Sequence, residues 1–549
     1  MLKKIITLLI FTSLFQPIIF SQLKFAPKQP KLVIQIIVEQ MRYDIIQRYW
    51  DRFSEKGFKR LINEGAFCKD AQYDYVITES APGYATIATG SNPSEHGIVS
   101  DKWYLRLTES EQYCVADSKL ELKSGIMNVN RYSPRQLVGS TIGDELRISN
   151  YKKSKVISVS INNYASVLTA GYLGNAAYWM DETTGNWTSS SYYLDSLPNW
   201  VQKFNQKQFV PLYLSREWNT LYPLSSYTQS LADNNSYETG FSNNQKTFPY
   251  NLGLLSANGG PSILKYTPYG NVYTTDFAVS AIINEDLGND KYTDLITISY
   301  ATNGFVTNMF GIRSIELEDT YLRLDKEIAH LLEIVDDRFG KENVIVVLTS
   351  DRGTIDNPDF YREIGMPSGK FNSEKAISVL ESYLKAIYGR SNWVKHYSGR
   401  QIYLNQLLID ASKISLADVQ LKTAQFMNQF SGIAHATTAT ILQTTNFTDG
   451  TMKKFQNGYN LVRSGDVMIS LKPGWVEERN HKKIEATEQS SPYRYDSHVP
   501  LVFYGWKIIP KELLEPVMIN DLAPTLGNFL NISYPSGASG KPINGLIVN

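Results

Sequence analysis

Cysteine, histidine and net charge are all scarce in this chain. Its 549 residues include two cysteines, Cys68 and Cys114, which excludes a disulfide framework and a cysteine-rich zinc site. One bridge between them, or two separate free thiols, are the readings that remain. Lys plus Arg and Asp plus Glu number 54 each, leaving no net charge to gather phosphate backbones or anionic lipid, so nucleic acid is not expected as a partner. The six histidines are His96, His330, His396, His435, His481 and His498, and the closest two stand 17 residues apart; no local two-histidine metal motif exists. P-loop, dinucleotide and Gly-x-Ser-x-Gly signatures are missing, which removes the common nucleotide-binding and metal-free hydrolase motifs. Past the N-terminus no apolar stretch of about 18 residues occurs, so no transmembrane helix is expected in the mature chain.

What is present begins with Met-Leu-Lys-Lys, an apolar run from Ile5 to Phe15 interrupted by Gln16 and Pro17, and a small residue at Ser21. This is the pattern of a secretory signal peptide over residues 1–21, and it predicts a periplasmic or secreted protein. Hydrophobic residues make up 42% of the chain, enough for a sizeable core. Lys31 to Val38 (KLVIQIIV) is the nearly continuous β-branched run of a strand buried on both faces of a parallel sheet. Similar runs follow at Lys155–Ile161, Asp294–Tyr300, Asn343–Leu348 and Val499–Tyr504. Between two of them, from Ser314 to Phe339, Leu317, Tyr321, Leu324, Ile328, Leu332 and Val335 mark one helix face. Helices are also expected over Arg42–Trp50, Gly57–Ile62 and Ala81–Thr89. Strand, long helix, strand is the rhythm of an α/β fold, a doubly wound and mostly parallel sheet flanked by helices. Residues 22–549 are read as one domain, with insertions over about 182–292 and 358–488, where Asn, Ser, Tyr and Gly are richer and periodicity is weaker.

In such sheets the loops after the carboxyl ends of strands build the site. Here those loops begin at Glu39, Asn303 and Asp351, and Ser80 stands at the start of a helix. The segments VEQMRYD from Val38, TESAPGYATIATGSNPSEHGI from Thr78, SIELEDTYLRLD from Ser314, TSDRGT from Thr349, YDSHVPLVFYGW from Tyr495 and DLAPTLGNFLNISYPSGASGKPI from Asp521 resemble the alkaline phosphatase superfamily. The likeness is to its secreted bacterial phosphate-irrepressible monoesterases and the related nucleotide pyrophosphatases/phosphodiesterases, and it spans nearly the whole mature chain. It implies an alkaline-phosphatase-like fold and, for an active member, two zinc ions about 4 Å apart clamping a phosphate ester attacked by a Ser or Thr hydroxyl.

At the positions that match the family's ligands the residues differ. The strand-end aspartate is Glu39, the nucleophile position holds Ser80, one aspartate is kept as Asp351, and its histidine partner is Arg352. The second site reads Gly304, Asn308 and, further along, Gln489. The phosphate-binding positions hold Asp101, Asn162 and Tyr164. His498 is read as structural, leading into a core strand, and Ser80 as a helix N-cap or a nucleophile. Arg352 predicts a guanidinium–carboxylate cluster where a metal would sit, with no cofactor expected; Glu39 and Asp351 gripping one divalent cation is the alternative.

The expectation that follows is an exported, catalytically impaired pseudophosphatase acting by binding or assembly, with an envelope protein or small ligand as partner. The alternatives are an active phosphomonoesterase or phosphodiesterase using Ser80 and a single metal, and a glycan- or peptide-binding envelope protein using Trp179, Trp187, Tyr192, Tyr193 and Trp200.

Overall fold

A computed structural model describes residues 28–121, 131–241, 245–478 and 490–548. The expected signal peptide, Gln489 and His481 lie outside the described residues. Ten strands form the central sheet: β1 (Leu32–Val38), β2 (Ala66–Gln72), β3 (Val156–Ser160), β4 (Ala176–Met180), β5 (Trp187–Thr188), β6 (Asp294–Tyr300), β7 (Val344–Thr349), β8 (His498–Gly505), β9 (Lys511–Leu513) and β10 (Val517–Met518). Their order is β9-β2-β8-β7-β1-β6-β3-β4-β5, and β10 also pairs with β2. The run β7-β1-β6-β3-β4 is parallel, while β8 is antiparallel to both its neighbours. The fold is therefore α/β, mostly parallel and flanked by helices.

The reason β1 sits at the centre is legible in its side chains. All seven residues are buried, and each fully buried Val, Leu or Ile contributes roughly 1.5–3 kcal/mol. Ile34, Ile36 and Val38 join one core cluster with Tyr321, Leu324 and Ile328. Val33 and Ile37 join the other, with Ala81, Tyr84 and Ala85. Four helices matter for the site: α1 (Ser80–Thr89), α2 (Asn163–Ala170), α3 (Thr302–Phe310) and α4 (Ile315–Arg338). The Ser314 hydroxyl caps α4 by accepting from the Leu317 amide, which fixes the start of the apolar face.

Several expectations shift. Arg42–Trp50 contains a shorter helix, Asp44–Arg48, and then a 3₁₀ turn, Trp50–Arg52. Cys68 and Cys114 are separate buried thiols and form no bridge. The aromatics proposed as a ligand surface are engaged in packing: Trp187 stacks on Phe277 with centroids 4.2 Å apart, Trp200 lies 5.1 Å from the same ring, and Trp179 packs on Tyr132. Residues 394–471 carry a four-stranded sheet of their own, ordered Val394–Ser398, Gln401–Leu404, Val467–Leu471, Ile433–Thr438, over a separate apolar cluster that includes Leu380, Trp393 and Ile469. Among the described residues no helix is long and apolar enough to cross a membrane.

Candidate functional site

The carboxyl ends of β1, β3, β6 and β7 open onto one cavity of about 180 Å³, lined by Glu39, Gln40, Ser80, Asp101, Tyr164, Gly304, Phe305, Asn308 and Arg352. Glu39 follows β1 directly, and its amide donates to the Tyr300 carbonyl at 3.2 Å. Gly304, Phe305 and Asn308 ride on α3, whereas Asp351 and Arg352 follow β7. Ser80 is the first residue of α1, preceded by Glu79. It is therefore not the N-cap. Helix α1 lies close against the β7 loop, since a Cβ on Gly83 would meet the Asp351 carbonyl oxygen at 1.9 Å. That approach sets Ser80 beside Arg352.

Arg352 Nε donates to Ser80 Oγ at 2.8 Å, and its Nη1 donates to the Gly353 carbonyl at 3.3 Å. The same Nε lies 3.6 Å from Asp351 Oδ2. Arg352 is 2% exposed and Asp351 is fully buried, so the pair sits where solvent screening is weak. Asp351 Oδ1 accepts from the Gln40 amide at 2.8 Å. Gln40 adopts a left-handed φ of 60°, a conformation that disfavours a side chain. It also donates from Nε2 to Asn308 Oδ1 at 3.0 Å, so Asn308 faces a carboxamide.

Glu39 takes Tyr164 OH on Oε1 at 2.8 Å, with Asn162 Nδ2 at 3.5 Å from the same oxygen. Its side chain fills the space over Gly304: a Cβ there would meet Oε2 at 2.8 Å and both Cδ and Cγ at 3.1 Å. Burial, reinforced by the Asp351 charge, pushes the Glu39 carboxyl up to about 8 against the opposing influence of Arg352 and Tyr164. Asp101 Oδ1 accepts from the Ala81 amide at 2.8 Å, at the start of α1. Burial and then Glu79 push its carboxyl up to about 7. Burial also raises Asp351, with Arg352 opposing. Burial and the neighbouring acids thus make these carboxyls harder to ionise than free ones, which opposes the build-up of negative charge in the pocket.

All the expected site residues within the described chain come together here: Glu39, Ser80, Asp101, Tyr164, Gly304, Asn308 and Arg352 line the cavity, with Asp351 behind it and Asn162 reaching Glu39. Gln40, Glu79 and Phe305 were not foreseen. Glu79 Oε2 accepts from the Asp101 amide at 2.7 Å and from Ser100 Oγ at 2.6 Å; its neighbour Ser80 was the only local signal. His498 stacks on Tyr43 at 4.2 Å, and its Nε2 lies 2.9 Å from the Lys69 carbonyl oxygen. His96 Nδ1 accepts from the Ile98 amide at 3.1 Å, with burial pushing the ring down to about 3. Neither histidine approaches the cavity.

The donor set does not fit a zinc pair. Among the described residues no three of His, Cys, Asp and Glu gather in a form able to hold a metal ion. At the positions for which the resemblance implies ligands, a glycine offers none and a permanent cation lies on the serine oxygen.

A parallel α/β sheet with a serine-headed helix and an acid-bearing loop at its carboxyl edge defines a class, and the sequence matches it. Residues 33–494 fit the family type I phosphodiesterase / nucleotide pyrophosphatase, and the chain belongs to that family. The chain is 35% identical over 525 residues to alkaline phosphatase PafA of Elizabethkingia meningoseptica, covering 95% of each. It is similarly 35% identical over 533 residues to alkaline phosphatase PhoV of Synechococcus elongatus, covering 97% of this chain and 95% of the relative. A calcium-transporting ATPase of Myroides odoratus is 37% identical over 519 residues, 94% of each chain. The crystal structure of wild-type PafA superposes with a TM-score of 0.90 over 95% of this chain and 99% of that one. Murine ectonucleotide pyrophosphatase / phosphodiesterase 5, at 10% identity and a TM-score of 0.52, shares the fold.

Proposed function

We propose that this family member is an exported pseudophosphatase, a protein that keeps the phosphatase fold and uses its cleft for binding. One observation carries the reading: Arg352 Nε donates to Ser80 Oγ at 2.8 Å, so the hydroxyl at the nucleophile position accepts from a permanent cation that stands where the resemblance implies a metal ligand. Phosphoester hydrolysis is among the slowest uncatalysed reactions, and its catalysts stabilise charge on attacking, leaving and non-bridging oxygens together. One guanidinium shared with Asp351 does not span those three places. At Asp101 an acid stands at a position for which the resemblance implies a phosphate-binding group. Export is supported by the pattern of residues 1–21.

The test is metal analysis of the purified chain beside hydrolysis of p-nitrophenyl phosphate and its diester. The expected result is substoichiometric metal, no turnover and a melting temperature unchanged by EDTA. Turnover that EDTA and Ser80→Ala both abolish would overturn the proposal in favour of a working, metal-assisted hydrolase.

A further inference from the structure

A second cavity, of about 320 Å³, adjoins the first at the same edge of the sheet, where ligands of parallel α/β folds collect. It lies past the carboxyl ends of β3 and β4. Ile161, Trp179 and Met180 line its floor and are no more than 3% exposed. Tyr132 stands on its wall, partly exposed, propped by Trp179 at 5.7 Å and Tyr113 at 5.9 Å between ring centroids. Of the aromatics first read as a ligand surface, only Trp179 lines it. Two contacts join the cavities. Asn162 lines the second and holds Nδ2 3.5 Å from Glu39 Oε1 in the first. Lys265, paired with Glu182 of the second at 2.6 Å, lies 4.2 Å from the ring centroid of Phe305, which lines the first.

The acids on this wall already have partners. Glu182 is matched by Lys265, and Asp181 Oδ1 accepts from the Thr184 amide and hydroxyl, each at 2.8 Å. What the walls add is neutral and of both kinds. Asn162 precedes α2 without a side-chain cap, so the first-turn amides of that helix take no acceptor from it. Asn163 Oδ1 accepts from Tyr113 OH at 2.6 Å, which leaves its carboxamide to act on the cavity as a donor. The Thr183 hydroxyl both donates and accepts. Hydroxyl groups, which also do both, suit such walls better than a group that only donates or only accepts. An apolar floor beside one phenol ring suits a body of C–H groups, and the volume is at the small end of the ~300–1,000 Å³ of ligand sites. We propose that this second cavity binds a single neutral sugar ring, with its hydroxyls spanning the start of α2 and the 181–183 turn. The site lies beside the Ser80–Arg352 cavity and does not depend on whether that cavity cleaves esters.

The experiment is calorimetric titration of the full chain with methyl glucoside, methyl mannoside, methyl galactoside and N-acetylglucosamine, with inorganic phosphate and ethanolamine as charged controls. At least one sugar is expected to bind once per chain with a Kd on the order of millimolar. Tyr132→Ala and Glu182→Gln are each expected to weaken that sugar at least roughly ten-fold, the scale of one charge-assisted hydrogen bond or one lost apolar wall. Glu182 is exposed, so Glu182→Gln decides the matter if Tyr132→Ala fails to fold. The controls are expected to give no heat that either variant removes. Flat titrations with all four sugars, or sugar binding that Glu182→Gln leaves unchanged, would overturn the proposal. Phosphate or ethanolamine binding as tightly as the best sugar, and weakened by the same variants, would overturn it in favour of a charge site. Turnover of p-nitrophenyl phosphate would touch only the pseudophosphatase reading.

Discussion

Glu39 and Gly304 share one volume: the glutamate's carboxylate arm lies where any side chain at position 304 would have to begin, 2.8 Å from a Cβ built there. The longer acid after β1 and the missing side chain on α3 are two halves of one packing solution. An aspartate at 304, the residue the family resemblance implies there, cannot coexist with Glu39 in its present rotamer.

Gly304→Ala is accordingly expected to lower stability by about 1–3 kcal/mol through overpacking. Glu39→Asp, with its shorter arm, should recover part of that loss in the double variant. Denaturant unfolding of the two single variants and the double variant measures the coupling, expected to exceed about 0.5 kcal/mol. Simple additivity would show that the two positions do not share space.

Arg352→Met removes the cation from a buried pair and leaves Asp351 uncompensated, at an expected cost of about 3–5 kcal/mol. Adding Asp351→Asn removes the stranded charge, and the double variant should melt above the single one. The comparison of melting temperatures separates loss of charge pairing from loss of side-chain volume, which both variants share.

Stability should fall as pH rises from about 4 towards 8. Glu39 and Asp101 titrate in the folded chain near 8 and 7, above their ordinary 4.5 and 3.8. The folded state therefore holds protons that the unfolded chain has released, and the contribution is complete below the unfolded values and lost as pH climbs through the folded ones. Each group adds at most about 1.4 kcal/mol per pH unit in that window. Chemical denaturation across pH 5 to 8 checks the slope, and Glu39→Gln should flatten it.

Cys68 and Cys114 should behave as two inert thiols. Both are buried, and burial pushes Cys68 up to about 12, so little thiolate is present to react. Ellman's reagent is expected to titrate about two thiols per chain after denaturation and almost none before. A melting temperature that drops with reductant would point instead to a bridge.

Much of this architecture was legible because its strands announce themselves. β1, β3, β6 and β7 are buried along their whole length, and the 3.6-residue apolar spacing of α4 matches its position against the sheet. β2 was missed for the opposite reason: Lys69, Asp70 and Gln72 interrupt its apolar run, and it lies near the antiparallel side, where one face is only partly covered. The loops that gather at the carboxyl edge were legible through their motifs. Gln40 was not, since nothing in its identity predicts a left-handed φ, and neither was the Glu79 contact that steadies Asp101, which depends on how the chain turns after α1.

The placement of β2 sets the order in which this molecule can close. Every sheet neighbour of β2 comes from residue 498 or later: β8, β9 and β10. A strand formed within the first seventy-odd residues therefore has no partner while the next four hundred are being made. The right flank can zip together early, from β1 through β6, but the partners of β2 wait for about the last tenth of the chain. Such late, long-range pairing is intrinsically slow, and the unpaired edge of β2 is the surface that must be shielded from other chains until synthesis ends.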